Sequence, residues 1–217
     1  MSDNNTNNTI SGLGQLVMVE TPINVKRLAM WSVTEGNVPD NTSIVQDVSQ
    51  VIDFDKRLMN YSDQPQTASA QLYGCGDLAR NISRITGGTL SIGIHALSAD
   101  ERSTIFGETT TTQTAGKLST LTGHETSKYL IVAIAEELPN GNLNLRKYYH
   151  VEFRPGQSGT AQMEGSNITF STSTLEGTYF RNEALDKIRD ILFNVDPSVP
   201  ASATAIESWF TTADSCG

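Results

Sequence analysis

Residues 129–153, YLIVAIAEELPNGNLNLRKYYHVEF, decide the fold. The first eight form a run of strand-forming side chains too short for a typical buried helix. Pro139-Asn140-Gly141-Asn142 then supplies a hairpin turn. Beyond it the polarity alternates. Leu143, Leu145, Lys147, Tyr149, Val151 and Phe153 share one face, and Asn144, Arg146, Tyr148, His150, Glu152 and Arg154 share the other. Two long strands joined by a tight turn make this an antiparallel β-protein.

Working outward, residues 89–97 alternate again, with Leu90, Ile92, Ile94 and Ala96 inward. Ser98 and Glu101 have capping-box spacing, and Gly107 follows two turns later, so a short helix over about 98–106 is predicted. Residues 45–58 read as one half-buried strand. Val48, Gln50, Ile52, Phe54, Lys56 and Leu58 face one way, opposite an acidic face of Asp47, Ser49, Val51, Asp53, Asp55 and Arg57. Further strands are expected at 15–20 (QLVMVE), 25–33, 69–83 and 168–176. Polar connections are expected at 34–42, 59–68 and 108–127, with a turn at Gly87-Gly88 and further turns at 155–159 and 165–166. Asn182 and the stripe Leu185, Ile188, Ile191, Leu192 predict a helix over 182–194, and Thr204 with Glu207 a second over 204–211. The expected fold is mainly β: a β-sandwich or barrel over 14–180, preceded by a disordered polar arm (1–13) and followed by a helical C-terminal extension (181–217).

Composition agrees. The 217 residues include 25 Thr, 21 Ser, 15 Asn and 17 Gly, which favour strands and turns. A net charge of −9 excludes a protein that grips DNA or an anionic membrane through basic residues. The longest apolar run, 129–135, is too short to span a bilayer, and the N-terminus lacks signal-peptide character, so a cytoplasmic address is expected. Cys75 and Cys216 read as free thiols.

Chemistry-bearing patterns are sparse. His95, His124 and His150 lie in separate segments, so convergence on a metal or a catalytic role is disfavoured. Asp53 and Asp55 point the same way, a spacing open to Ca²⁺ or acid–base work; a solvated acidic strand face is the favoured reading. No phosphate loop, dinucleotide fingerprint or nucleophile elbow occurs. A non-enzyme without cofactor or metal is expected.

Several stretches, taken in order, resemble one family. Residues 69–81 (SAQLYGCGDLARN), 87–107 (GGTLSIGIHALSADERSTIFG), 129–153, 168–180 (ITFSTSTLEGTYF) and 203–212 (ATAIESWFTT) are similar, in sequence and order, to the major tail proteins of long-tailed, non-contractile bacteriophages (siphophages). The segment 34–61 is longer than that family's pattern, and the helix over 182–193 looks like an addition to it. The resemblance implies a β-sandwich subunit, six of which form a ring. Rings would stack into a tail tube, a negatively charged conduit for DNA ejection into the host. It implies location in the virion tail after assembly in the bacterial cytoplasm. Implied partners are further copies of the chain and tape-measure, tail terminator and distal tail proteins; DNA would pass without specific binding, and no membrane is involved.

By the same analogy the lumen strands lie around 45–58, 69–81, 129–137 and 143–154. Lumen-facing candidates are Asp47, Ser49, Asp53, Asp55, Asn144, His150 and Glu152. Candidates for contacts between subunits or rings are Tyr61, Asp63, Gln64, Arg146, Arg154, Trp209 and Phe210. The loop 60–70 and the N-terminal arm are the expected stacking elements, and loss of 200–217 is expected to harm polymerisation more than subunit stability. The alternatives are a monomeric carbohydrate-binding β-sandwich using Tyr148 and Tyr149, a hydrolase with scattered site residues, and a related secretion-system tube protein of the type VI kind.

Overall fold

The computed structural model describes residues 20–35, 44–46, 52–54, 57–75, 77–123, 128–155, 172–183 and 185–211. In chain order these form β1 (Asn24–Glu35), β2 (Ile44–Gln46), β3 (Ile52–Asp53), β4 (Leu58–Gly74), β5 (Asp77–Ile94), α1 (Ala99–Phe106), β6 (Thr109–Gln113) and β7 (Gly116–Thr120). There follow β8 (Tyr129–Glu137), β9 (Leu143–Pro155), β10 (Ser173–Phe180), β11 (Arg189–Val195) and α2 (Pro200–Thr211). The predicted arm 1–13, the strand 15–19, His124, most of the turns after Pro155 and Cys216 lie outside the described residues.

The main sheet runs β2-β1-β8-β9-β10-β5-β4, all antiparallel, and it forks at β9. Residues 143–148 of β9 pair with β11, whereas 151–155 pair with β10. The fork coincides with a bulge in which Tyr149 and His150 stand opposite the single residue Ile131 of β8. The backbone freed there is satisfied locally: Asn182 Nδ2 donates to the Tyr149 carbonyl (3.3 Å), and the Tyr149 amide donates to the Ile188 carbonyl (3.3 Å).

The bulge overturns the uniform alternation expected along 143–154. Leu145 and Tyr149 face one core, but Val151 and Phe153 join Tyr148 in the other. The first core lies between the two arms of the fork and holds Leu28, Met30, Leu90, Ile92, Ile94 and Ile134. Phe54 and the α1 residues Ile105 and Phe106 belong to it as well. The second core lies on the opposite face of β1, β8 and β9. There Trp31, Ile131, Ala133 and Leu145 pack with Trp209 and Phe210 of α2. The result is a β-sandwich with a helix laid on one outer face.

The short helix forms as its sequence dictates. Ser98 Oγ accepts from the Glu101 amide (3.3 Å), Glu101 accepts from the Ser98 amide (2.7 Å), and Gly107 closes the helix at φ 75°. Arg57 clamps Glu101 through both guanidinium nitrogens, at 3.0 and 2.6 Å. Burial pushes the Glu101 carboxyl up, but the Arg57 and Ser98 hydrogen bonds outweigh it and hold the group below the ordinary glutamate range.

Five local expectations are corrected. First, residues 59–68 are strand, not a connection; Pro65 is tolerated because β4 is an edge. Second, Gly87-Gly88 is mid-strand: a Cβ on either would overlap Tyr179, so these glycines permit close strand packing rather than a turn. Third, residues 69–83 are not one strand but the outer part of a hairpin turning at Cys75, whose φ is 52°. Fourth, 109–120 is a small β-hairpin rather than a loop, and the strand expected over 45–58 does not run through to its end, since β3 stops at Asp53 and Arg57 turns into β4. Fifth, the helix predicted over 182–194 is absent. Asn182 does accept from the Leu185 amide (3.1 Å), as a cap would, but the turn closes through Asn182 and Lys187 and the chain runs on as β11. That strand lies inside the sheet, so 181–217 is not a separate helical extension. The last helix begins four residues before its expected start, with Pro200 at its first position.

Candidate assembly surface

The most distinctive feature is a ribbon. β10 pairs with β5 over 87–94, so among the described residues β4 is the one strand neighbour of residues 77–86 of β5. At about 3.3 Å per residue, the hairpin projects about 30 Å beyond the sheet. Its side chains are not those of a solvated loop: Leu72 is 63% exposed, Tyr73 61%, Ile85 52% and Ile82 41%. Cross-strand pairing sets Leu72 opposite Arg80, Ala70 opposite Ile82 and Ala68 opposite Arg84, so one face is apolar and basic. The other face sets Ser69 against Ser83 and Gln71 against Asn81, with Ile85 opposite Thr67 at its base, so exposed apolar side chains stand on both faces.

The root of the ribbon is fixed by a buried polar knot. Asp63 on β4 accepts from the hydroxyls of Tyr148 (2.9 Å) and Tyr179 (2.7 Å), and from the Arg189 guanidinium. The two phenols therefore resist ionisation: burial and the adjacent Asp63 carboxylate raise both far above the ordinary tyrosine value. Nearby, Tyr61 donates to Glu136, which is ion-paired with Arg146 at 3.1 Å.

The sheet surface away from the first core carries two cross-strand rows. One runs Arg154, Glu176, Ser91, Ser62; the other runs Glu152, Thr178, Thr89, Gln64. This face is rich in hydroxyl and amide groups, forms a shallow depression of about 350 Å³, and carries two carboxylates against one guanidinium. At its end, the rings of Tyr129 and His150 pack at a 57° tilt with centroids 4.1 Å apart, and His150 meets Phe180 edge-on at 6.1 Å.

The candidates named from sequence divide accordingly. Glu152, Gln64 and Arg154 share the hydroxyl-rich face, with half-buried His150 at its margin. Asp53 sits apart on β3, ion-paired with Arg27 (3.0 Å). Asn144 is buried and accepts from the Asn194 amide (2.9 Å), so it lines no surface. Trp209 and Phe210 are buried in the chain's own second core, Trp209 donating to the Arg146 carbonyl (3.3 Å). Asp63 is the centre of the knot at the root, and Tyr61 and Arg146 meet at Glu136 beside it. Asp47, Ser49 and Asp55 lie outside the described residues. Tyr148 and Tyr149 are buried, so they offer no aromatic platform for a sugar ring. Sequence reading missed the ribbon's apolar side chains; the available signal was Gly74-Cys75-Gly76 between two strand-like runs.

Among the described residues, no group of three or more His, Cys, Asp or Glu side chains is placed to hold a metal ion, and no helix is long and apolar enough to cross a membrane. No protein-family model matches the chain. No curated protein sequence matches it at a significant level. Among solved structures, it is similar to a chain of the anti-feeding prophage baseplate, determined by cryo-EM with 6-fold symmetry imposed. The identity is 15% over 80% of this chain and 97% of that one, with a TM-score of 0.37.

Proposed function

We propose that the chain is a non-catalytic structural subunit of a phage-type tail tube, six copies closing a ring and rings stacking into a conduit for DNA. The observation that carries this reading is the projecting ribbon. A two-stranded hairpin with free edges and exposed Leu72, Tyr73, Ile82 and Ile85 is marginal in water and prone to pairing with other chains. It gains stability by lying on another copy, and Arg80 and Arg84 suit an acidic partner such as this chain, whose net charge is −9.

The hydroxyl-rich face of β9, β10, β5 and β4 suits the lumen better than the strand faces expected from sequence. Its Ser, Thr and Gln side chains offer DNA no cationic foothold, and Glu152 and Glu176 repel phosphate. Arg154 is set against Glu176 across the strands. Tape-measure, tail terminator and distal tail proteins are the partners that such a tube requires.

The test compares wild type with Leu72→Lys plus Ile82→Lys by sedimentation velocity and circular dichroism. The expected result is unchanged secondary structure with loss of species larger than a ring. Assembly of the double variant to wild-type size would remove the ribbon from the contact.

A further inference from the structure

We infer that β11 is a docking edge for a second copy of the chain, the two β11 strands pairing antiparallel about a two-fold axis at Leu192. The contact lies outside the ribbon and does not rest on the tube reading. β11 is the outermost strand of its arm of the fork: β9 pairs with it on one side, and among the described residues no strand takes the other. A free edge invites pairing unless charge or a bend blunts it. The charges of β11 sit at its start and are already engaged. Arg189 binds Asp63, and Asp190 accepts from Lys187 (3.1 Å) and from the Tyr149 hydroxyl (2.5 Å). The stretch that follows is apolar and uncovered, Leu192 at 40% exposure and Phe193 at 61%.

The strand's own sequence names the occupant. With the axis at Leu192, Leu192 faces Leu192 and Ile191 faces Phe193 twice, so apolar side chains meet across the pair and no like charges are opposed. The neighbouring registers are worse. An axis at Ile191 sets Asp190 against Leu192 and Arg189 against Phe193. An axis at Phe193 needs pairing through Asn194, where the strand bends at φ 56°. That bend is fixed, since the Asn194 amide donates to Asn144 (2.9 Å) and its side-chain oxygen accepts from Asn142 (2.9 Å). Pairing is therefore confined to residues 191–193, about 10 Å of strand, and a two-fold contact closes at two copies instead of growing. The product is a reversible dimer of the unassembled chain, distinct from the head-to-tail contacts of a ring.

The test uses the full chain carrying Cys75→Ser, Cys216→Ser and Leu192→Cys under mild oxidation. Antiparallel partners lie about 4.5–5.5 Å apart at Cα, within disulfide range, so the axis residue cross-links to itself. The control replaces Leu192→Cys by Thr112→Cys on the remote β6–β7 hairpin. The expected result on non-reducing electrophoresis is a reducible dimer several-fold above the control. A dimer no stronger than the control overturns the inference, as it would if the β4 edge of another copy occupied β11 instead. Two further variants of the Leu192→Cys chain, both checked for folding by circular dichroism, read the register. Ile191→Lys with Phe193→Lys opposes like charges in both flanking pairs and is expected to abolish the cross-link, whereas Ile191→Lys with Phe193→Glu is expected to retain it. Equal cross-linking by the two would overturn the two-fold register. Electron microscopy of the unoxidised wild type keeps this inference apart from the tube reading. Rings without the specific cross-link overturn the inference alone, and the cross-link without rings at any concentration overturns the tube reading alone.

Discussion

Asp63 is the residue on which the placement of the ribbon turns. Its carboxylate is the shared acceptor of two buried phenols and one guanidinium, so a truncation leaves three donors unsatisfied at once. Asp63→Ala is expected to destabilise the subunit by about 3 kcal/mol or more, read as a lowered urea midpoint at unchanged slope. Glu101 gives a pH signature instead. Its folded-state pKa lies below the unfolded value, so its contribution is complete above about pH 4.5 and is lost as pH falls through the folded pKa. Glu101→Gln is expected to flatten the acid limb of the stability profile while leaving assembly at neutral pH intact; an unchanged limb would show that the clamp on Arg57 carries no linkage. At this scale the sequence was legible where the code is local. Ser98, Glu101 and Gly107 specify their helix within ten residues. Asp63 reads from sequence as a contact candidate in a supposed loop, not as a buried hub, because its three partners lie 85, 116 and 126 positions away.

Among the elements, α2 reverses an expectation. A tail carrying Trp209 and Phe210 suggests an arm that docks on a neighbour, yet both rings complete the chain's own second core beside Trp31 and Leu145. Lys147 lies buried there between the rings of Trp209 (4.8 Å) and Trp31 (5.7 Å). Removal of 200–217 is therefore expected to lower subunit stability sharply, and Phe210→Ala alone to cost about 3–5 kcal/mol; thermal melts of both variants as dilute protein check this. A melting temperature within a degree or two of wild type would return α2 to the list of assembly arms. The strand β11 teaches a related lesson. Leu185, Ile188, Ile191 and Leu192 satisfy a helical period, and Asn182 does make a capping hydrogen bond. Pairing with the exposed edge of β9 outweighs that local preference, and no periodicity within 182–194 encodes the edge. The Gly87-Gly88 pair misleads for a similar reason, since its function is to admit Tyr179 from a strand about 90 positions away.

At the scale of the whole molecule, the antiparallel class and the strands β8 and β9 could be read directly from residues 129–153. The forking of the sheet could not, because it depends on one bulge and on which strand occupies each half of β9. The consequence is a subunit with two unequal surfaces: a hydroxyl-rich sheet face and a ribbon with exposed apolar side chains that leaves the body. Arg80→Glu with Arg84→Glu is expected to weaken association at low salt by roughly ten-fold while leaving the fold unchanged, since it turns the ribbon's basic face acidic against an acidic partner. Sedimentation across a salt series reads this directly, and an association insensitive to both charge and salt would restrict the contact to its apolar side chains.

The most direct measurement is negative-stain electron microscopy of the purified chain at rising concentration, beside a mass determination in solution. The account predicts open-centred rings of about six copies and, at the highest concentrations, hollow tubes. Uniform particles of 23.5 kDa at every concentration would contradict it.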